Sequence, residues 1–262
     1  MKKFQKNEVI QGTVLDLTHE GQGVIKADNF PFFVENALPG EEIKMKVLKV
    51  GKNFGFGKVE EWLNQSPDRV QDVNMTYLRT GIADFGHMTY PAQLHFKHKQ
   101  VVDVLRKNAH KPDFPVLDTL GAEQESQYRN KAQVPVRSIN GKTETGFFRK
   151  NSHDLVPIRD FYIQNPEIDE LVKQVRESLI KLNIPPYDEQ TKRGIVRNIV
   201  IRRGHHSGQM MLILVVTKEK FAGLSELVAE YSNKVNSFQL SINTSTGNAI
   251  FGSKFKLLSG KD

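Results

Sequence analysis

Between Gln190 and Met210 the chain carries Lys192, Arg193, Arg197, Arg202 and Arg203 without one acidic residue among them. Such a run suits a polyanion, because each cation can neutralise a phosphate and release the counterions condensed on it. Two other segments mix cations with rings: Tyr128-Arg129-Asn130-Lys131 and Gly146-Phe147-Phe148-Arg149-Lys150. Charges that hold phosphates beside π-faces that stack on unpaired bases are what single-stranded RNA recognition uses. A fourth group surrounds Phe54 and Phe56 with Lys44, Lys46, Lys49, Lys52 and Lys58. These rings are either stacking platforms or filling for the interior of a small barrel.

Period-two alternation in a strand places Arg129 and Lys131 on one face. In the run Ile195 to Arg203 the same rule groups Arg197 and Arg203 with Ile195, Ile199 and Ile201, and turns Arg202 the other way. Phosphate contact and plain solvation are the two readings of these arginines. Other chemistries find less support. The chain has no cysteine, which excludes disulfides, thiolate zinc sites, cysteine-held iron–sulfur clusters and a cysteine nucleophile from its own residues. The glycines around Phe54 and Phe56 form no phosphate loop, since Lys58 is followed by Val59 rather than Ser or Thr. His95 and His98, and the adjacent His205 and His206, would need further ligands to hold a metal, so surface histidines are the default. Asp154, Asp160 and Asp169 make no catalytic carboxylate pair.

These residues must be positioned by a chain of 262 residues with 38% hydrophobic and 26% charged side chains, a globular composition. The net charge is +7, and the excess lies late: residues 126–262 hold 21 basic and 13 acidic side chains. No apolar run is long enough for a bilayer crossing and the first residues do not read as a signal peptide, so the expectation is a cytosolic protein with no membrane partner. Residues 1–60 read as five short strands between glycine turns (8–17, 23–27, 30–34, 41–50 and 51–59), which fit a small barrel of the OB type. Residues 61–125 read as a connector followed by a helix that starts near Pro91. Residues 126–262 read as an α+β domain. It has a hairpin at Asn140-Gly141, a helix opening at Asn165-Pro166, and a mostly antiparallel sheet with helices on one face.

The motifs in order are Gly21-Gln22-Gly23-Val24, Leu38-Pro39-Gly40-Glu41, His87-Met88-Thr89-Tyr90-Pro91-Ala92-Gln93-Leu94, Tyr128-Arg129-Asn130-Lys131-Ala132, Gly146-Phe147-Phe148-Arg149-Lys150 and Asp154-Leu155-Val156. Together they resemble the N-terminal and central regions of the TRAM-containing RNA uracil-5-methyltransferases, most closely the bacterial 23S ribosomal RNA type without an iron–sulfur cluster. The resemblance implies ribosomal RNA as partner and puts Arg129, Lys131, Phe147, Arg149 and Lys150 against it, while the basic pattern itself adds Arg197, Arg202, Arg203, Lys44 and Lys46 as candidate RNA contacts. In that family cluster-binding cysteines fall at positions corresponding to Thr80, Ala83 and Phe161, so no cluster is expected here.

The family's chemistry belongs to a following Rossmann-like domain that binds S-adenosylmethionine, and supplies a cysteine that adds to carbon 6 of uracil to make carbon 5 nucleophilic. This sequence ends at Gly260-Lys261-Asp262 with no cysteine and no glycine-loop cofactor segment. The expectation is therefore a truncated RNA-binding portion: the Rossmann-like domain absent, no catalytic residue, no metal and no cofactor in this chain. The alternatives are a non-catalytic subunit working with a separate methyltransferase domain, or a stand-alone, translation-associated RNA-binding protein.

Overall fold

The computed structural model describes residues 4–261. They form two compact units, one from the described residues up to 78 together with 83–123, the other from 79–82 and the described residues from 124 onward.

The first unit is built on six strands: β1 (Val9–Thr13), β2 (Asp16–Leu17), β3 (Gly23–Ala27), β4 (Phe30–Glu35), β5 (Glu42–Val50) and β6 (Gly55–Trp62). Their spatial order is β1-β5-β6-β4-β3-β2, with β4 and β6 parallel and the other pairs antiparallel. Asp28 and Asn29, both at positive φ, make the two-residue turn that joins β3 to β4 with the twist a hairpin needs. Alternation then fills the interior with Phe30, Phe32 and Val34 from β4 and Ile43, Met45 and Val47 from β5. The inward positions of β6 are Gly55 and Gly57, and they have to be. A Cβ at Gly55 would lie 2.4 Å from the Phe32 ring, and one at Gly57 would lie 2.9 Å from Met45 Sδ. Two glycines inside thus place Phe56, between them, outside.

A buried ion pair ties the following segment to these strands. Glu41 accepts from the Leu38 amide at 2.8 Å and from Arg69 Nη2 at 2.8 Å, while Arg69 Nη1 donates to Asn36 Oδ1 at 2.9 Å. Burial works against the Glu41 charge, but the hydrogen bonds from Arg69 and Leu38 outweigh it and hold the carboxyl below its ordinary value. A short helix α1 (Met75–Thr80) precedes α2 (Tyr90–Lys107), which starts at Thr89 with Pro91 in its first turn and ends on Arg106 and Lys107, favourable to its dipole.

The second unit holds a seven-stranded sheet of β7 (Lys131–Ile139), β8 (Lys142–Phe148), β9 (Leu155–Pro157), β10 (Val196–Arg203), β11 (Met210–Val216), β12 (Ser237–Ile242) and β13 (Lys254–Gly260), in the order β13-β12-β11-β10-β7-β8-β9. Asn140 and Gly141 at positive φ close the β7–β8 hairpin. Helix α3 (Pro166–Lys181) opens at Asn165, whose Oδ1 accepts from the Glu167 amide at 3.0 Å, and buries Ile168, Leu171, Val172, Val175 and Leu179. It meets α4 (Leu224–Tyr231) where Ser178 Oγ and Tyr231 Oη lie 2.8 Å apart. The other face of the sheet has its own apolar cluster, Val200, Ile213 and Val215, packed against Met211, Ile250 and Phe251.

The fold expectation needs correcting here. Strands β11 and β12 pair in parallel, from Met211↔Ser237 to Val216↔Ile242, and α4 is the crossover between them. That β–α–β unit is an α/β element. The expectation of a mostly antiparallel α+β sheet did not include this unit, because apolar alternation marks strands without giving their direction.

Candidate nucleic-acid interface

In the first unit, three rings stand together on the outside of the barrel-like sheet. Phe33, the one outward ring of β4, lies 5.3 Å from Phe54 and 6.0 Å from Phe56, and Phe54 lies 5.5 Å from Phe56, edge to face. Of the two readings of Phe54 and Phe56, filling of the barrel interior is not what the structure shows. Neither belongs to the core, and Phe54 is 41% exposed. Lys49 sits opposite Phe56 across β5 and β6, Lys52 precedes Phe54 in the connecting turn, and Lys58 follows Phe56 by two residues along β6. All three lysines are exposed, and none has an ion-pair partner among the described residues. Lys44 and Lys46 differ: Lys44 pairs with Glu61 at 2.7 Å and Lys46 with Glu60 at 3.6 Å. Phe33 was missed by sequence reasoning. Period two along the strand, which sets Phe33 opposite Phe30, Phe32 and Val34, was the signal that could have found it.

In the second unit, Lys131 of β7 and Arg202 of β10 are direct cross-strand partners, both exposed and with no acidic partner among the described residues. Like charges set opposite one another on a sheet repel, so this pair is disfavoured unless an anion lies over it. Arg129, exposed, is two residues before Lys131, its amide bonded to Ile163 O at 2.8 Å. At the end of β8, Arg149 and Lys150 are exposed, and the Lys150 amide donates to Arg79 O at 2.9 Å. That contact brings exposed Arg79 to the same corner, a cation that sequence order gave no reason to place there.

Three expected residues are engaged elsewhere. Arg197 is buried, its Nη1 donating to Asn243 O at 3.2 Å and its guanidinium 4.7 Å from the Tyr187 ring. The alternation that grouped it with Ile195, Ile199 and Ile201 sets it among residues that are all buried. Arg203 Nη2 donates to Glu167 Oε1 at 2.7 Å, and that bond lowers the Glu167 pKa. Phe147 is half-buried with its ring edge-to-face on buried Phe161 at 5.3 Å, in a packing role.

Among the described residues no group of three or more His, Asp and Glu is placed to hold a metal ion. No helix among them is long and apolar enough to cross a membrane.

Residues 3–59 match the TRAM domain model. The whole chain is 56% identical to a protein of Lactococcus lactis subsp. lactis and 54% identical to one of Streptococcus pyogenes serotype M3, both described as uncharacterized RNA methyltransferases, and it spans 58% and 57% of their lengths. The chain thus covers less than two thirds of these relatives. Among solved structures it is similar to the tRNA (uracil-54, C5)-methyltransferase of Pyrococcus abyssi in complex with S-adenosyl-L-homocysteine. The TM-score is 0.70 with 21% identity, over 96% of this chain and 55% of that one, a likeness of fold. These findings set the truncated, non-catalytic reading aside without assigning an activity to the chain. That reading rested on the missing cysteine and glycine-loop segment as well as on where the sequence stops, whereas proteins that match all of this chain carry the name RNA methyltransferase. The resemblance likewise extends over the entire chain.

Proposed function

We propose that this chain takes part in methylation of RNA at carbon 5 of uridine, with both units binding the RNA. The carrying observation is the Phe33, Phe54 and Phe56 platform bordered by Lys49, Lys52 and Lys58. It combines what an unpaired nucleotide requires: a π-face for the base and unpaired cations for its phosphates. The TRAM match over the same residues and the names of the relatives support the reading. In the second unit Lys131, Arg202 and Arg129 offer phosphate contacts, with Arg79, Arg149 and Lys150 as another group. The preferred RNA is a folded one with single-stranded loops, ribosomal RNA being the kind the sequence motifs favour.

The product-like ligand in the archaeal neighbour makes S-adenosylmethionine the methyl donor of this proposal. When bound it supplies an electrophilic methyl group. The described β–α–β crossover does not fit it: Gly223, at the start of α4, is packed against Ile184 and Leu182, where an added Cβ would meet side-chain atoms at 3.0 to 3.3 Å, so this glycine opens no cradle. We therefore derive no transfer step through the donor. The test is binding of a labelled loop-containing RNA by the full chain, with a duplex of equal length as competitor. Preference for the loop supports the proposal, and equal binding of both refutes the stacking role.

A further inference from the structure

The second unit contains a cleft of about 780 Å³ between the β7–β8 turn, the residues after β9 and the C-terminal half of α3. Arg176 lines it and is 4% exposed. A guanidinium has five N–H donors, yet Arg176 makes one hydrogen bond from its side chain among the described residues, Nη1 to Thr145 Oγ1 at 3.2 Å. The nearest carboxylate oxygen, Glu177 Oε1, stands 4.0 Å away. Arg159, also lining the cleft, is bound through Nη2 to both oxygens of Glu144 at 3.0 and 2.8 Å, which spends that carboxylate on another cation. Burial first, and then the charge of Arg159, disfavours the charge on Arg176, and the nearby charges of Glu144 and Glu177 offset this only in part. A buried cation left this poorly paired is costly in an ordinary core, and Lys142 adds a third positive group to the same walls.

We infer that this cleft is a binding site for a phosphate group, held by Arg176 from its floor and by Arg159 and Lys142 from its walls. None of the lining residues belongs to the platform or to the Lys131–Arg202 pair, and the inference does not rest on their role. Guanidinium and ammonium groups converging on one recess suit a tetrahedral anion with several acceptor oxygens. Glu144 and Glu177, which also line the cleft, are the opposing groups: Glu144 occupies Arg159, and both repel the ligand.

The phosphate could belong to a small molecule or to an RNA backbone, and two arms separate them. In the first, the full chain is titrated with inorganic phosphate by calorimetry at fixed sodium chloride. The parent should bind saturably, Arg159→Gln and Arg176→Gln should each weaken binding about tenfold or more, and Glu144→Gln should tighten it. Arg159→Gln removes an exposed side chain and keeps the test decisive if Arg176→Gln fails to fold. In the second arm the same variants are titrated with loop-containing RNA. Weakened RNA binding by Arg159→Gln assigns the site to a backbone phosphate; unchanged RNA binding with lost inorganic phosphate assigns it to a small phosphorylated ligand. Phosphate binding indifferent to all three substitutions, or no effect in either arm, overturns the inference.

Discussion

Removing the Phe54 ring should weaken RNA binding without altering its salt dependence. The ring is 41% exposed and lies outside the first unit's apolar core, so Phe54→Ala should leave that unit folded. Truncating fully buried Phe32 of the same sheet should instead cost about 3–5 kcal/mol of stability. A stacked base is worth about 1–3 kcal/mol, which is roughly a five- to 150-fold loss of affinity for Phe54→Ala. The slope of log affinity against log salt should stay at the parent value, because no phosphate contact has been removed. Replacing Lys49, Lys52 and Lys58 together with glutamine should behave oppositely, flattening the slope by about 2 if each neutralises one phosphate of a single strand. Fluorescence anisotropy of a labelled loop-containing RNA, titrated at several salt concentrations, reads both quantities. If Phe54→Ala and Phe56→Ala bind like the parent at every concentration while changes at Lys131 and Arg202 abolish binding, the platform is ordinary surface and the reasoning fails.

Lys131→Gln should flatten the same slope by about 0.7 and, without RNA, stabilise the protein by roughly 0.2–1 kcal/mol in urea unfolding by relieving its repulsion of Arg202; a loss of stability would contradict the paired-cation reading. Glu41→Ala, which strands the buried Arg69 charge, should cost about 3–5 kcal/mol, measured by denaturant unfolding of the first unit. Because the Glu41 carboxyl is depressed in the folded state, its contribution is present above its unfolded value of 4.5 and disappears as pH falls through the lower folded value; acid unfolding indifferent to Glu41→Gln would contradict this. Glu219, held down to about 2 by hydrogen bonds from Lys254 and Lys256 of β13, should likewise steady that strand above pH 4.5 and release it as pH falls toward 2. Hydrogen exchange of β13 amides checks this, and Glu219→Gln should remove the pH dependence.

Much of the local structure was legible because single residues dictate it. Gly21 and Gly23 with the following apolar alternation set out β3, Asn140-Gly141 announced the β7–β8 hairpin, and Asn165-Pro166 marked the start of α3. Strand direction was not legible: nothing in the alternation of β11 and β12 says that they run parallel, and the fold class was misjudged there. The site divided the same way. A cluster of lysines and rings could be seen around Phe54 and Phe56, but which lysines are free depends on acids across the sheet. Lys44 and Lys46 find Glu61 and Glu60 on β6, and Arg203 finds Glu167 at the start of α3. Arg197 shares its alternation with Ile195, Ile199 and Ile201 and is buried with them, a choice between burial and phosphate contact that its residue type alone does not make. Arg79 joined Arg149 and Lys150 through one backbone hydrogen bond between segments seventy residues apart.

The most direct test is to crosslink the full chain to a loop-containing RNA with ultraviolet light and map the attached peptides by mass spectrometry. Our account places crosslinks on the β4–β6 segments carrying Phe33, Phe54 and Phe56, and on the β7 and β10 segments carrying Lys131 and Arg202. Crosslinks confined to other surfaces, such as the outer face of α2, or none above a protein of equal charge, would contradict it.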